Sequence, residues 1–238
     1  MTGIRIMGFL VREKAEKANQ KNTNPQRLKI LVSSVVFGYE DLLEGIYALL
    51  ESFGYEVLMS HKGTVPIDPE NSAMTNCLEA VEACDLFLGI ILPRYGSGIE
   101  EPPAGLSITH REAVRAIELD KPRWFLVHEY VAIARQLLEP YRDESERPRF
   151  VLKPGVGFAR TSILADLRVL ELYELAMRHD ILKPAERTAN WVQTYGTDED
   201  ARLFATAQFR RHRELAEKYL PRLRNISDVR DRLKGGGK

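Results

Sequence analysis

The chain has 238 residues, 44% of them apolar, and its 34 lysines and arginines are balanced by 34 aspartates and glutamates. That length and apolar fraction suit one sizeable α/β domain with an appendage, or two small domains. A net charge of zero excludes a general electrostatic affinity for nucleic acid or membrane, so any such contact has to come from a local patch.

In chain order, a polar lead-in (1–27) precedes a strand-like run, Leu28-Lys29-Ile30-Leu31-Val32, which ends in Ser33-Ser34. Helical periodicity from Tyr39 to Phe53 stops at Gly54, a good residue for a helix end. Tyr55 to Met59 reads as a second strand and Asn71 to Ala83 as a second helix. Asp85 to Leu92 is apolar almost throughout, as a strand buried on both faces should be. A loop with Gly96, Gly98, Pro102, Pro103 and Gly105 leads to a helix from Ser107 to Leu119, then a strand from Arg123 to His128 and a helix from Val131 to Leu138. Arg149 to Leu152 is expected as an edge strand. Beyond it the pattern turns helical, over Ser162 to Met177 and Asp198 to Leu220, joined by a connector containing Pro and Asn.

Strands alternating with helices predict a doubly wound, flavodoxin-like α/β fold with a parallel sheet. The expected units are the α/β domain over 28–158, a helical C-terminal extension over 159–233 and a disordered tail at 234–238. In that extension arginines and lysines outnumber acids from Ala201 onward, which reads as a solvated helical face or as an anion-binding arm for nucleic acid.

Cys77 and Cys84 stand about two helical turns apart and read as two buried thiols, which points to a reducing, cytoplasmic compartment. Met1 to Val11 is too short in its apolar part to span a bilayer and lacks an evident cleavage site, so a soluble chain without membrane association is expected. The five histidines at 61, 110, 128, 179 and 212 form no close pair, and no metal is expected.

In an open α/β sheet, ligands bind beyond the carboxyl ends of the strands. Ser33 and Ser34 there can offer hydroxyls to a phosphate or ribose, or simply form a turn. Arg94-Tyr95-Gly96-Ser97 follows the most buried strand. Arg94 can hold a phosphate and Tyr95 can stack on a base, although a salt bridge and rim packing account for them equally well. Glu112 is expected in the first turn of its helix, where a carboxylate either complements the helix dipole or faces a ligand. Beside a ribose C1′ it can stabilise or trap an oxocarbenium-like centre. His110 can carry a proton near neutral pH or be an ordinary helix residue. Glu100 and Glu101 are lesser acid candidates.

The stretches Lys29 to Ser34, Cys84 to Ile91, Arg94 to Ser97 and Ser107 to Glu112, followed by Lys121-Pro122, together resemble the bacterial TIR-like domain of unknown function, which often opens larger signalling or defence ATPases. The order of loop, helix with an early glutamate, and Lys-Pro before a strand is similar to nucleoside 2-deoxyribosyltransferases and NAD-cleaving TIR domains. The resemblance covers about Leu28 to Val127. It implies a TIR-like or deoxyribosyltransferase-like fold, Glu112 as the catalytic group, and NAD or a related nucleotide as substrate rather than cofactor. It also implies a homo-oligomer or a partner protein, and a role in defence. Two features depart from the pattern: Pro93-Arg94-Tyr95-Gly96 stands where deoxyribosyltransferases carry an aspartate-containing turn, and His110 stands where TIR enzymes carry an aromatic residue. A catalytically silent module that senses a nucleotide or assembles with partners is the alternative.

Overall fold

The apolar run after Asp85 forms the central strand β3 (Leu86–Ile91), buried at every position. It pairs in parallel with β1 (Lys29–Ser34) on one side and β4 (Arg123–His128) on the other. β2 (Glu56–Leu58) lies beyond β1 and β5 (Asn190–Tyr195) beyond β4, so the strand order is β2-β1-β3-β4-β5. This computed structural model describes residues 27–99, 105–178, 183–186 and 188–221. The expected lead-in up to residue 26, Glu100, Glu101, His179, the arginines from 222 onward and the expected disordered tail lie outside the described residues.

Among the described residues the sheet is flanked by α1 (Glu40–Ser52), α2 (Ala73–Ala83), α3 (Ile108–Glu118), α4 (Glu129–Leu138), α5 (Arg168–Met177) and α6 (Asp198–Phe209). Residues 212–221 are helical again after a break at 210–211. The pattern Leu42, Leu43, Ile46, Leu50 puts one stripe of α1 on the sheet, where it joins Ala201, Ala205 and Phe209 of α6 over Ile30, Val32, Leu88 and Ile90. Gly54, at φ +100°, closes α1 in the left-handed conformation. On the opposite face, Val81 of α2, Ala113 and Ala116 of α3, Val131 of α4 and Val169 and Leu170 of α5 pack on Leu31, Phe87 and Phe125. Each large aliphatic side chain so buried stabilises the fold by roughly 2 kcal/mol. Because side chains alternate along a strand, Ser33 falls on the Leu31 face, the one covered by α2 and α3.

Among the described residues no helix is long and apolar enough to cross a membrane. Two expectations are corrected. Arg149 to Leu152 adds no strand to the sheet; only Leu152 makes an isolated antiparallel bridge, to Arg142. The region after Thr161 is not wholly helical, because the connector contains β5, paired along its length with β4. Arg123, fully buried, ties the two strands together by donating from Nε to Asn190 Oδ1 at 2.8 Å.

The excursion between α4 and α5 is held by one buried cation. Arg142 donates from Nη1 to Glu174 at 2.8 and 2.9 Å, donates from Nη2 to the Pro148 and Arg149 carbonyls, and lies over the Phe150 ring. Arg135 also bonds Glu174, at 3.0 Å. Arg142→Met leaves two carbonyls without a donor and Glu174 with one cation, so unfolding free energy should fall by about 3 kcal/mol, read from the urea midpoint at constant m-value. Arg149→Met removes only an exposed contact with Glu146 and should stay within about 0.5 kcal/mol of the parent.

Candidate functional site

After β1 the chain turns to β2 and after β3 to β4, on opposite sides. The crevice between the carboxyl ends of β1 and β3 is therefore the switch point of the sheet, where open α/β folds take ligands. A cavity of about 650 Å³ opens there, lined by Ser33, Ser34, Arg94, Tyr95, Gly96, Ser97 and Glu112 among others. Its size is ordinary for a small-molecule site.

Glu112 lies on the cavity floor, almost wholly buried. Ser107 is the N-cap of α3, its hydroxyl accepting from the His110 N–H, so Glu112 is the fifth helical residue and stands in the second turn. That corrects the first-turn placement. The dipole effect fades beyond the first turn, so dipole compensation no longer accounts for this carboxylate. Burial pushes its pKa up to about 7, against hydrogen bonds from Ser33 and Cys77 that favour the charged form. A carboxylate placed for the dipole would shift the other way. Ser33 Oγ donates to Glu112 Oε2 at 2.5 Å.

Ser34 differs from its neighbour. Its hydroxyl is within bonding distance of the Val35 and Ile90 carbonyls, at 3.0 and 3.1 Å, so it secures the ends of β1 and β3 while lining the cavity wall. Arg94 is exposed, with its guanidinium 5.1 Å from the centroid of Phe37, itself 72% exposed. Gly96 lets the loop lie on the start of α3: a Cβ there would meet Ser107 Oγ at 3.0 Å and Thr109 Oγ1 at 3.1 Å.

His110 is a second correction. It is buried behind the cavity rather than lining it, and burial lowers its pKa to about 4, so the ring is neutral. Its Nδ1 lies 3.0 Å from the Tyr95 hydroxyl, which also accepts the Ser107 N–H at 3.1 Å. The imidazole and the phenol are thereby hydrogen-bonded to each other. His110 thus orients Tyr95 rather than carrying a proton to a ligand.

Several lining residues are not evident in the sequence. Cys77, one turn after Ala73 in α2, faces the cavity and interacts with Glu112; burial pushes its thiol up to about 11. Only Cys84 is a fully buried thiol. Arg160, Ala165 and Asp166 arrive from the region read as a helical extension. That segment is tied down by Ala165 N–H donating to the Pro93 carbonyl at 3.0 Å and by Arg168, which grips both Asp166 oxygens at 3.0 and 2.7 Å. Arg168 also donates to the Gly105 carbonyl and lies over the Tyr95 ring at 4.3 Å. Spacing alone carries no signal for these, since they are about seventy residues from Arg94. Lys121, part of the Lys-Pro signature, points away from the cavity: its Nζ donates to the Glu82 and Cys84 carbonyls and closes the end of α2.

The chain is similar to the solved structure of a Clostridium botulinum CMP N-glycosidase, at 14% identity and a TM-score of 0.40, over 75% of this chain and 98% of that one. No curated protein matches it. Residues 29–157, more than half of the sequence, match the family described as a domain of unknown function, DUF4062, and the chain belongs to that family.

Proposed function

We propose that this protein cleaves the N-glycosidic bond of NAD or a related nucleotide, with Glu112 meeting the positive charge that develops at the ribose C1′, as nucleophile or as electrostatic stabiliser. The observation that carries the reading is the Glu112 carboxylate, buried at the floor of a substrate-sized cavity and held by Ser33 Oγ. An anion fixed in a low-dielectric pocket attracts an oxocarbenium-like centre far more than it does in water.

NAD suits this cavity because its leaving group needs no proton donor. The nicotinamide nitrogen is already cationic, so the electron pair of the C1′–N bond neutralises it as the bond breaks. Water then delivers its oxygen to C1′ and loses a proton, giving nicotinamide, ADP-ribose and H⁺. The described lining carries two carboxyl groups, and Asp166 is committed to Arg168. Ser34, Gly96 and Ser97 form the wall, Arg94 is available to the phosphates, and exposed Phe37 offers a face to a base. The free thiols, one of them at the cavity, fit a reducing cytoplasm, and a homo-oligomer or partner protein and a defence role belong to the same reading.

Purified protein incubated with NAD, alone and under conditions that favour assembly, should release nicotinamide, followed by chromatography. Glu112→Gln should slow release by about a thousandfold or more. Release that survives the substitution removes Glu112 from the reaction, and no release in any assembly state leaves the site as a binding module.

The ionised carboxylate is the active form, so kcat/KM should rise with pH through about 7. Ser33→Ala removes a bond that favours the charged form and should move that midpoint upward. Stability should run the other way. The folded pKa lies above the ordinary 4.5, so the parent holds the extra proton in that window and loses stability relative to Glu112→Gln as pH rises from 4.5 to about 7. The change is about 3 kcal/mol, measurable by urea titration at several pH values.

A further inference from the structure

Resting on the nucleotide reading above, we propose that Arg94 and Arg160 form a two-guanidinium phosphate clamp on the cavity, which makes phosphorylated nucleotides rather than free nucleosides the substrates. Arg94 follows β3, whereas Arg160 comes from the segment that returns to the sheet after residue 157, beyond the stretch that matches the family. Both line the cavity and both are exposed. Neither forms an ion pair with a described residue; Arg94 rests only on the Phe37 ring.

The obvious internal partner for Arg160 is Asp166, whose carboxylate it lies near enough to influence. Arg168, however, occupies both oxygens of Asp166 in a fork-to-fork pair. Asp166 is thereby held chiefly by Arg168, and Arg160 makes no ion pair with a described residue while its charge still bears on Asp166. The same pair holds the segment in place, with help from the Ala165 bond to Pro93 and the Arg168 bond to Gly105. The planar forks of two guanidiniums on one cavity match phosphate oxygens. Glu112 lines the same cavity and would take the other part of the ligand, the ribose C1′. A nucleotide carries both parts, and a nucleoside lacks the phosphate.

The test uses the full chain as Glu112→Gln, so that ligand stays intact, and titrates nicotinamide riboside, nicotinamide mononucleotide and NAD by calorimetry. The two phosphorylated ligands should bind about a hundredfold more tightly than the riboside, and Arg94→Ala or Arg160→Ala should each weaken them about tenfold without changing the riboside. Equal binding of the three ligands overturns the clamp, as does an Arg160→Ala protein that binds the mononucleotide like its parent. Phosphate-selective binding in a protein whose Glu112 form releases no nicotinamide supports the clamp and removes the catalytic reading. No binding of any of the three overturns both.

Discussion

The bond from Ser33 to Glu112 is the constraint around which this site is arranged. A carboxylate taken out of water costs several kcal/mol unless it is paired or protonated, and among the described residues no ion pair to it is formed; a serine hydroxyl and a thiol are its partners. The protein meets that cost in part by letting the group titrate near neutrality. Three elements have to converge for this to hold. β1 must present Ser33 on the face of Leu31, α3 must carry Glu112 into its second turn, and α2 must bring Cys77 alongside.

The helix that carries Glu112 is fixed at its start. The Ser107 hydroxyl caps α3, the Ser107 N–H goes to the Tyr95 hydroxyl, and Gly96 admits the loop close to the cap. Tyr95 is in turn held between His110 and Arg168, whose own grip on Asp166 and Gly105 joins the chain beyond residue 157 to the loop after β3. The site is therefore not a property of the first five alternating elements alone. The segment from Arg160 to Asp166, which leads into α5, closes it, and the buried Arg142–Glu174 pair stiffens the route by which the chain gets there.

Much of this architecture is legible in the residues. β3 and β4 read out within one residue of their observed ends, because a strand covered on both faces shows as a continuous apolar run bounded by polar or turn residues. α1 shows the same clarity through its four-residue stripe and its glycine stop. β5 is obscured for the complementary reason. It is an edge strand with an exposed Trp191 and polar Asn190 and Gln193, so its one covered face leaves too little alternation to see, although Trp, Val, Thr and Tyr favour extended backbone. The cluster of Ser33, Arg94, Tyr95 and Glu112 was readable because each follows or faces a strand end, and α/β topology alone sends such positions to one crevice.

What the sequence determined by itself was the alternation of strands and helices, hence the parallel sheet, and through it the meeting of Ser33 with Glu112. Hydrophobic periodicity is a local property, and the handedness of crossovers leaves few ways to arrange it. What only the tertiary structure decided was the state of those groups: that Glu112 is desolvated to a pKa of about 7, that His110 turns inward to Tyr95, that Cys77 shares the cavity, and that Arg168 grips Asp166 while Arg160 reaches the cavity rim. Burial, pairing and charge balance depend on which distant segments pack around a residue, and no spacing in the chain carries that information.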